Sequence, residues 1–131
     1  MATVPLLADT EAGAEALAVF ADIREKRQTE YINNFWRALA HDPALLRATW
    51  ERLAVVMASG ALDPLVKEMI YIAVSTANGC GYCVHSHTAA AKARGMTPAQ
   101  HGELLAVIAM ASQTNALATA LAVPVDDRFQ A

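Results

Sequence analysis

The sequence predicts an all-α fold of about six to seven helices. Of its 131 residues 29 are alanine, against only 6 glycines and 5 prolines. Alanine favours helices because it loses no side-chain entropy in one. Apolar residues recur at intervals of three and four, and no segment alternates in the way of a strand. A chain of this length that is 55% hydrophobic is expected to fold as a single domain over residues 1–131.

Capping residues mark where three of the helices begin. An Asp or Thr stands directly before a proline, which favours the first helical position. Thr97 is followed three residues later by Gln100, and the two can form a capping box. The Asn78-Gly79 pair predicts a sharp turn. The three start signals are Asp42-Pro43, Asp63-Pro64 and Thr97-Pro98.

Apolar spacing between these marks places the helices. The helix at 64–77 is apolar almost all round, so we expect it to be central. In the helix from 98 we expect Leu104, Leu105 and Ile108 to face inward. The predicted helices are about 11–27, a second with Tyr31, Phe35 and Leu39, a third with Leu46, Trp50, Leu53 and Met57, then 64–77, 80–94, 98–111 and 115–122.

Charge and hydropathy exclude several classes of protein. The net charge is −3 and no dense basic block occurs, so nucleic-acid binding is not expected. The longest strongly apolar run, residues 69–74, is too short to cross a membrane. The first residues lack the pattern of a signal peptide, which favours a cytoplasmic protein.

Apolar content also bears on assembly. Tyr31, Phe35, Trp36 and Trp50, together with an alanine-rich surface, give more apolar area than a monomer of this size easily buries. We therefore expect a homo-oligomer.

The residues that carry chemistry lie between 78 and 87. On a helix, Cys80, Cys83 and His87 fall within an arc of about 60°, whereas His85 points to the other side. Two Cα atoms three residues apart lie about 5 Å from each other, which a disulfide can span. The first turn of a helix stabilises a thiolate. His87 leans back over Cys83, where it could accept the thiol proton.

A carboxylate is expected beside this histidine. Lys67 and Glu68 are the only charged residues between 64 and 78. In an antiparallel hairpin that turns at residues 78–79, Glu68 lies level with His87. A carboxylate beside an imidazole fixes its tautomer and raises its basicity. The predicted relay runs from Glu68 through His87 to Cys83, with Cys80 as the disulfide partner.

Other interpretations of these residues stay open. The cysteines could be two small core residues, His87 a structural histidine, and Glu68 part of a solvated face. Zinc is the chemical alternative, with Cys80, Cys83 and His87 as ligands and Glu68 or water as the fourth. Against zinc, the sequence offers no second pair of cysteines, and one helix presents its ligands in a row. The other histidines, His41, His85 and His101, are interpreted as structural.

Glu68, eleven further residues, and then Cys80-x-x-Cys83-x-x-x-His87 resemble the motif of the AhpD-like alkylhydroperoxidase family, within the carboxymuconolactone decarboxylase superfamily. The resemblance covers about residues 30–123. It implies an all-α fold, a trimer or hexamer, and reduction of hydroperoxides by the cysteine pair. It implies no bound cofactor, but an external dithiol such as a lipoylated protein, and a peroxiredoxin as a further partner. By position, Glu68, Cys80, Cys83 and His87 take the catalytic places.

The sequence departs from the founding type of that family at one position. Tyr82 stands where the founding type has a histidine, so the proton relay would rest on Glu68 and His87 alone. A disulfide reductase, a redox adaptor or a redox-sensing module with little peroxidase activity is therefore the alternative function. The order of attack also stays open, because His87 favours Cys83 as the first nucleophile and the helix dipole favours Cys80.

Overall fold

A computed structural model describes residues 1–130 of the chain, and the chain divides into two compact units, the first Met1–Ala58 and the second starting at Ser59. Within the described residues the regular structure is helical, with six α-helices and no strand, which confirms the all-α prediction. None of the helices in residues 1–130 has the length and apolar character needed to span a bilayer. That residues 1–131 form a single domain stays a prediction.

The first unit holds three helices, α1 (Ala14–Arg27), α2 (Asn34–Leu39) and α3 (Pro43–Met57). Asp42 caps α3 as predicted, because its carboxylate accepts a hydrogen bond from the Leu45 backbone N–H at 3.0 Å. The rings of Trp36 and Trp50 meet edge to face with their centroids 5.5 Å apart. The buried core of this unit consists of Ala16, Val19, Phe20, Ile23, Ile32, Trp36, Ala40, Leu46 and Trp50.

This core corrects part of the argument for an oligomer. Trp36 and Trp50 are 3% and 4% exposed, so the first unit buries them by itself. Tyr31 and Phe35 remain on the surface. The homo-oligomer stays a prediction, but these two tryptophans do not support it.

The charged side chains of the first unit lie around that core. Asp9 accepts hydrogen bonds from Arg24 at 2.7 Å and from Arg37 at 3.1 Å. The Arg24 hydrogen bond is the largest cause that lowers the pKa of Asp9, and Arg37 adds to it. The pKa of Asp22 is lowered in the same way, first by the hydrogen bond that the Trp50 indole N–H donates to it.

The second unit holds α4 (Pro64–Ala77), α5 (Gly81–Ala93) and α6 (Pro98–Ala120), followed by a 3₁₀ turn at Asp127–Phe129. Between α4 and α5 the chain reverses at Gly79, whose φ of 69° lies in the left-handed region that favours glycine. The Cys80 N–H then bonds to the Ser75 carbonyl at 2.9 Å. This turn makes α4 and α5 the predicted hairpin and brings the start of α5 beside the end of α4.

The sixth and seventh predicted helices are one helix. We predicted a break between residues 111 and 115, but α6 continues through Ala120. The hydroxyls of Ser112 and Thr114 donate back to the carbonyls of Ile108 and Met110, at 2.9 and 3.1 Å. These two hydroxyls therefore find partners within the helix, and no glycine or proline occurs over residues 103–120.

The packing of the second unit corrects one further expectation. Helix α4 packs against both α5 and α6, as its predicted central place requires, although Val66, Ile70 and Val74 stay 40 to 53% exposed. Leu105 on α6, predicted to face inward, is 49% exposed. The physical reason is the small size of the buried cluster, which consists of Ile72, Ala91 and Met96, with Leu65, Met69, Leu104 and Ile108 packed against it.

Candidate active site

The two cysteines stand at the start of α5, as predicted. Cys80 is the N-cap of the helix and Cys83 lies in its first turn, with the Cα atoms 5.3 Å apart. A disulfide bond joins the two sulfurs, and both residues are partly buried. The sulfur of Cys80 also accepts a hydrogen bond from the Cys83 backbone N–H at 3.3 Å. One N–H group of the helix start thus bonds to a sulfur of the cysteine pair, where it favours negative charge.

Glu68 and His87 meet across the hairpin. The Oε2 atom of Glu68 lies 2.7 Å from Nδ1 of His87, which confirms the predicted register of α4 and α5. Glu68 is only 4% exposed, and it is the one buried acidic residue among residues 1–130. A buried carboxylate needs charged or hydrogen-bonding partners, because burial alone disfavours its anion. The imidazole of His87 is one such partner.

Arg94 is a second partner of this carboxylate, which sequence reasoning missed. Its Nε donates to the other carboxylate oxygen, Oε1 of Glu68, at 3.3 Å. Arg94 is the C-cap residue of α5 and lies two helical turns beyond His87. Seven residues along a helix return nearly to the same face, so the spacing of His87 and Arg94 was the available signal.

Tyr71 completes the surroundings of the histidine and was also not predicted. Its ring stacks on the imidazole of His87, with centroids 3.5 Å apart and an interplanar angle of 17°. Tyr71 stands three residues after Glu68, hence on the same side of α4. Stacking fixes the plane of the imidazole, while Glu68 fixes which edge of the ring faces the carboxylate.

The arrangement can support thiol chemistry. Cys83 and His87 are four residues apart on α5, the spacing that makes side chains neighbours on a helix. Glu68 bonds to Nδ1, so the tautomer that donates there leaves Nε2 as the proton acceptor. Sulfur, imidazole and carboxylate therefore come from two adjacent helices of one unit.

The other histidines and Tyr82 have different surroundings. His85 is exposed on α5, and Tyr82 beside the cysteines is 46% exposed. His41 belongs to the first unit, where its Nε2 lies 2.7 Å from the Pro5 carbonyl. For the zinc alternative, no group of three His, Cys, Asp or Glu side chains that could hold a metal ion occurs within the part of the chain that the structure describes.

This chain is similar to known proteins in sequence and, for one solved structure, in fold. Residues 43–126 match the carboxymuconolactone decarboxylase family. A crystal structure of the alkylhydroperoxidase AhpD core from Rhodospirillum rubrum is 61% identical in sequence, with a TM-score of 0.97, and the alignment covers 100% of this chain and 98% of that one. The alkyl hydroperoxide reductase AhpD of Maricaulis maris is 36% identical over 67 residues. That stretch is 51% of this chain but only 37% of the relative's length.

Proposed function

This chain belongs to the carboxymuconolactone decarboxylase family as an AhpD-like member, and on that premise we propose that it is a thiol-dependent hydroperoxide reductase. The observation that carries the proposal is the bond between the buried Glu68 and His87, on the helix that bears Cys80 and Cys83. The names of the relatives from Rhodospirillum rubrum and Maricaulis maris support the same chemistry.

The first step consumes the hydroperoxide. His87 takes the thiol proton of Cys83, and the thiolate attacks the terminal oxygen of the hydroperoxide. The O–O bond breaks, the sulfur becomes a sulfenic acid, and the alkoxide leaves as an alcohol after taking the proton from His87. Glu68 stabilises the imidazolium while it holds that proton.

The second step closes the disulfide. The sulfur of Cys80 attacks the sulfenic sulfur of Cys83, and the hydroxyl leaves as water with the proton of the Cys80 thiol. An external dithiol then returns two electrons by exchange and becomes a disulfide itself. In that exchange Cys80 is the leaving thiolate, which the Cys83 N–H at the helix start would stabilise.

The proposed reaction also requires partners outside this chain. The electron donor is a dithiol of the lipoamide type or a lipoylated protein, with a peroxiredoxin as a further partner. No bound cofactor is needed, since the electrons pass through sulfur alone. We further propose a cytoplasmic homo-oligomer, a trimer or hexamer, whose cysteines are kept reduced between turnovers.

The experiment that tests this function compares histidines on one helix. We expect the wild-type protein to reduce an alkyl hydroperoxide with dihydrolipoamide, and His87→Gln to lose roughly a hundredfold in kcat/KM. His85→Gln is the matched control, because His85 is exposed on the same helix outside the Glu68 pair, and it should keep full activity. Equal losses in both variants would contradict the relay.

The alternative function is a disulfide reductase or redox adaptor. Tyr82, where the founding type of the family has a histidine, favours it, because one proton carrier is then absent. Disulfide exchange with dihydrolipoamide but no peroxide turnover would support this alternative. Metal analysis of protein purified without chelator distinguishes zinc, since a stoichiometric ion would exclude both redox functions.

A further inference from the structure

Both oxygens of the Glu68 carboxylate are engaged, one by His87 and one by Arg94. The two partners differ in one property. The imidazole gains and loses its charge near neutral pH, whereas a guanidinium stays charged at every accessible pH. Arg94 is thus the permanent cation of the three groups.

A buried carboxylate with His87 as its sole partner would impede proton transfer. When the imidazole gave up its proton, an uncompensated anion would remain at a site that is 4% exposed. The imidazole would therefore hold its proton more tightly and would give it up less readily to the leaving alkoxide. A second, permanent cation on the carboxylate removes this penalty.

We infer that Arg94 is a positioning residue of the proposed peroxidase, acting through Glu68. It keeps the carboxylate anionic and oriented when His87 is neutral, and so lowers the pH at which His87 becomes available as a base. This role of Arg94 rests on the proposed function, but the electrostatic effect of Arg94 on His87 can be measured without turnover.

Charged and titratable groups near Glu68 come from the two helices of the hairpin. Helix α5 contributes His87 and Arg94, and α4 carries Tyr71, which stacks on the imidazole, and Lys67, the neighbour of Glu68 in sequence. Helix α6, which also packs against α4, contributes the apolar Leu104 and Ile108 to the adjoining cluster. The side chain of Arg94 is 44% exposed, so its removal leaves no large cavity.

The test is an NMR titration of the His87 ring in the oxidised protein, in which the disulfide is intact and no reductant or peroxide is present. In Arg94→Met the midpoint should rise by about 0.5 or more on the pH scale, because a cation beside the pair is lost. Lys92→Met is the matched control, since it removes one positive charge from the same helix, and it should leave the midpoint within about 0.2 of wild type. Arg94→Lys keeps the charge and should lie closer to wild type than to Arg94→Met.

An unmoved midpoint in Arg94→Met, or an equal rise in Lys92→Met, overturns the inference. So does a midpoint in Arg94→Lys that equals that of Arg94→Met, provided that both variants keep the wild-type helical circular dichroism. Peroxide turnover separates the two proposals. If the wild type turns over peroxide but the His87 midpoint does not move in Arg94→Met, only the role of Arg94 is rejected. If the midpoint moves but the wild type shows no peroxide turnover, only the peroxidase function is rejected.

Discussion

The two units of this chain bury different kinds of side chain. The first unit buries apolar residues almost exclusively, including Phe20 and both tryptophans, and leaves its carboxylates at the surface. The second unit buries few large apolar side chains, but it encloses Glu68. A buried carboxylate costs stability unless it is paired. A carboxylate that is paired at both oxygens therefore indicates a site where the negative charge serves a function.

The two units therefore encode different properties of the protein. Stability of the first unit comes from apolar burial, which substitutions of similar size would maintain. The chemistry of the second unit depends on atoms in fixed positions, namely two sulfurs, one imidazole and one carboxylate. Variants in the first unit should therefore lose stability, whereas variants in the second unit should lose turnover.

Loss of turnover should be most complete in Cys83→Ser. A serine hydroxyl cannot be oxidised to a sulfenic acid, so peroxide reduction should fall by about a thousandfold or more. Stopped-flow or coupled peroxide assays measure this. Trp36 and Trp50 both lie in the core of the first unit, and the urea midpoint of unfolding measured by their fluorescence should be unchanged. Retained turnover would place the chemistry elsewhere.

The converse prediction concerns the first unit. Leu46→Ala removes a fully buried side chain and should cost about 2–5 kcal/mol of unfolding free energy, seen as an earlier urea transition in tryptophan fluorescence. Leu45→Ala is the matched control in the same helix, because Leu45 is 51% exposed, and it should change stability by less than about 0.5 kcal/mol. Similar losses in the two variants would contradict the assigned core.

Glu68→Gln tests the second unit with little change of shape. The amide can still bond to His87 but carries no charge, so it cannot stabilise the imidazolium. We expect kcat/KM for peroxide to fall roughly 10- to 100-fold, less than for loss of the nucleophile. Full activity in Glu68→Gln, with the variant folded by circular dichroism, would show that the carboxylate charge is not used.

The smallest effect is the acid response of the first unit. Arg24 and Arg37 hold the pKa of Asp9 below its ordinary value. A lowered pKa in the folded state stabilises above the unfolded value, and this contribution is lost as the pH falls below about 4. Because Asp9 is partly exposed, the contribution should be below about 1 kcal/mol. Asp9→Asn should flatten the fall in the urea midpoint between pH 4 and 2 measured by tryptophan fluorescence, and an unchanged slope would contradict this.

Local signals in the sequence predicted most of the fold. Asp42, Asp63 and Thr97 cap the helices whose starts they marked, and the turn at 78–79 fixed the hairpin. The pairing of Glu68 with His87 followed, because positions equally far from a tight turn lie level in an antiparallel hairpin. Their catalytic roles, and those of Cys80 and Cys83, stay predictions.

What the sequence did not predict depends on side-chain reach and on packing. Arg94 and Tyr71 were missed because a long guanidinium and a ring stack contact the pair by rotamer choice, which spacing alone does not reveal. The exposed face of α4 was missed because hydropathy measures how apolar a helix is and not how many neighbours cover it. The continuity of α6 was missed because the polar residues at 112–114 resemble a loop, whereas the hydroxyls of Ser112 and Thr114 bond within the helix.

The most direct test of the central claim is the rate of alkylation of the reduced cysteines as a function of pH. We predict that the more reactive thiol titrates well below 8.5, the ordinary value for cysteine, and that His87→Ala and Glu68→Gln both return it toward that value. A thiol that titrates near 8.5 in the wild type and does not change in either variant would contradict a relay from carboxylate through imidazole to sulfur.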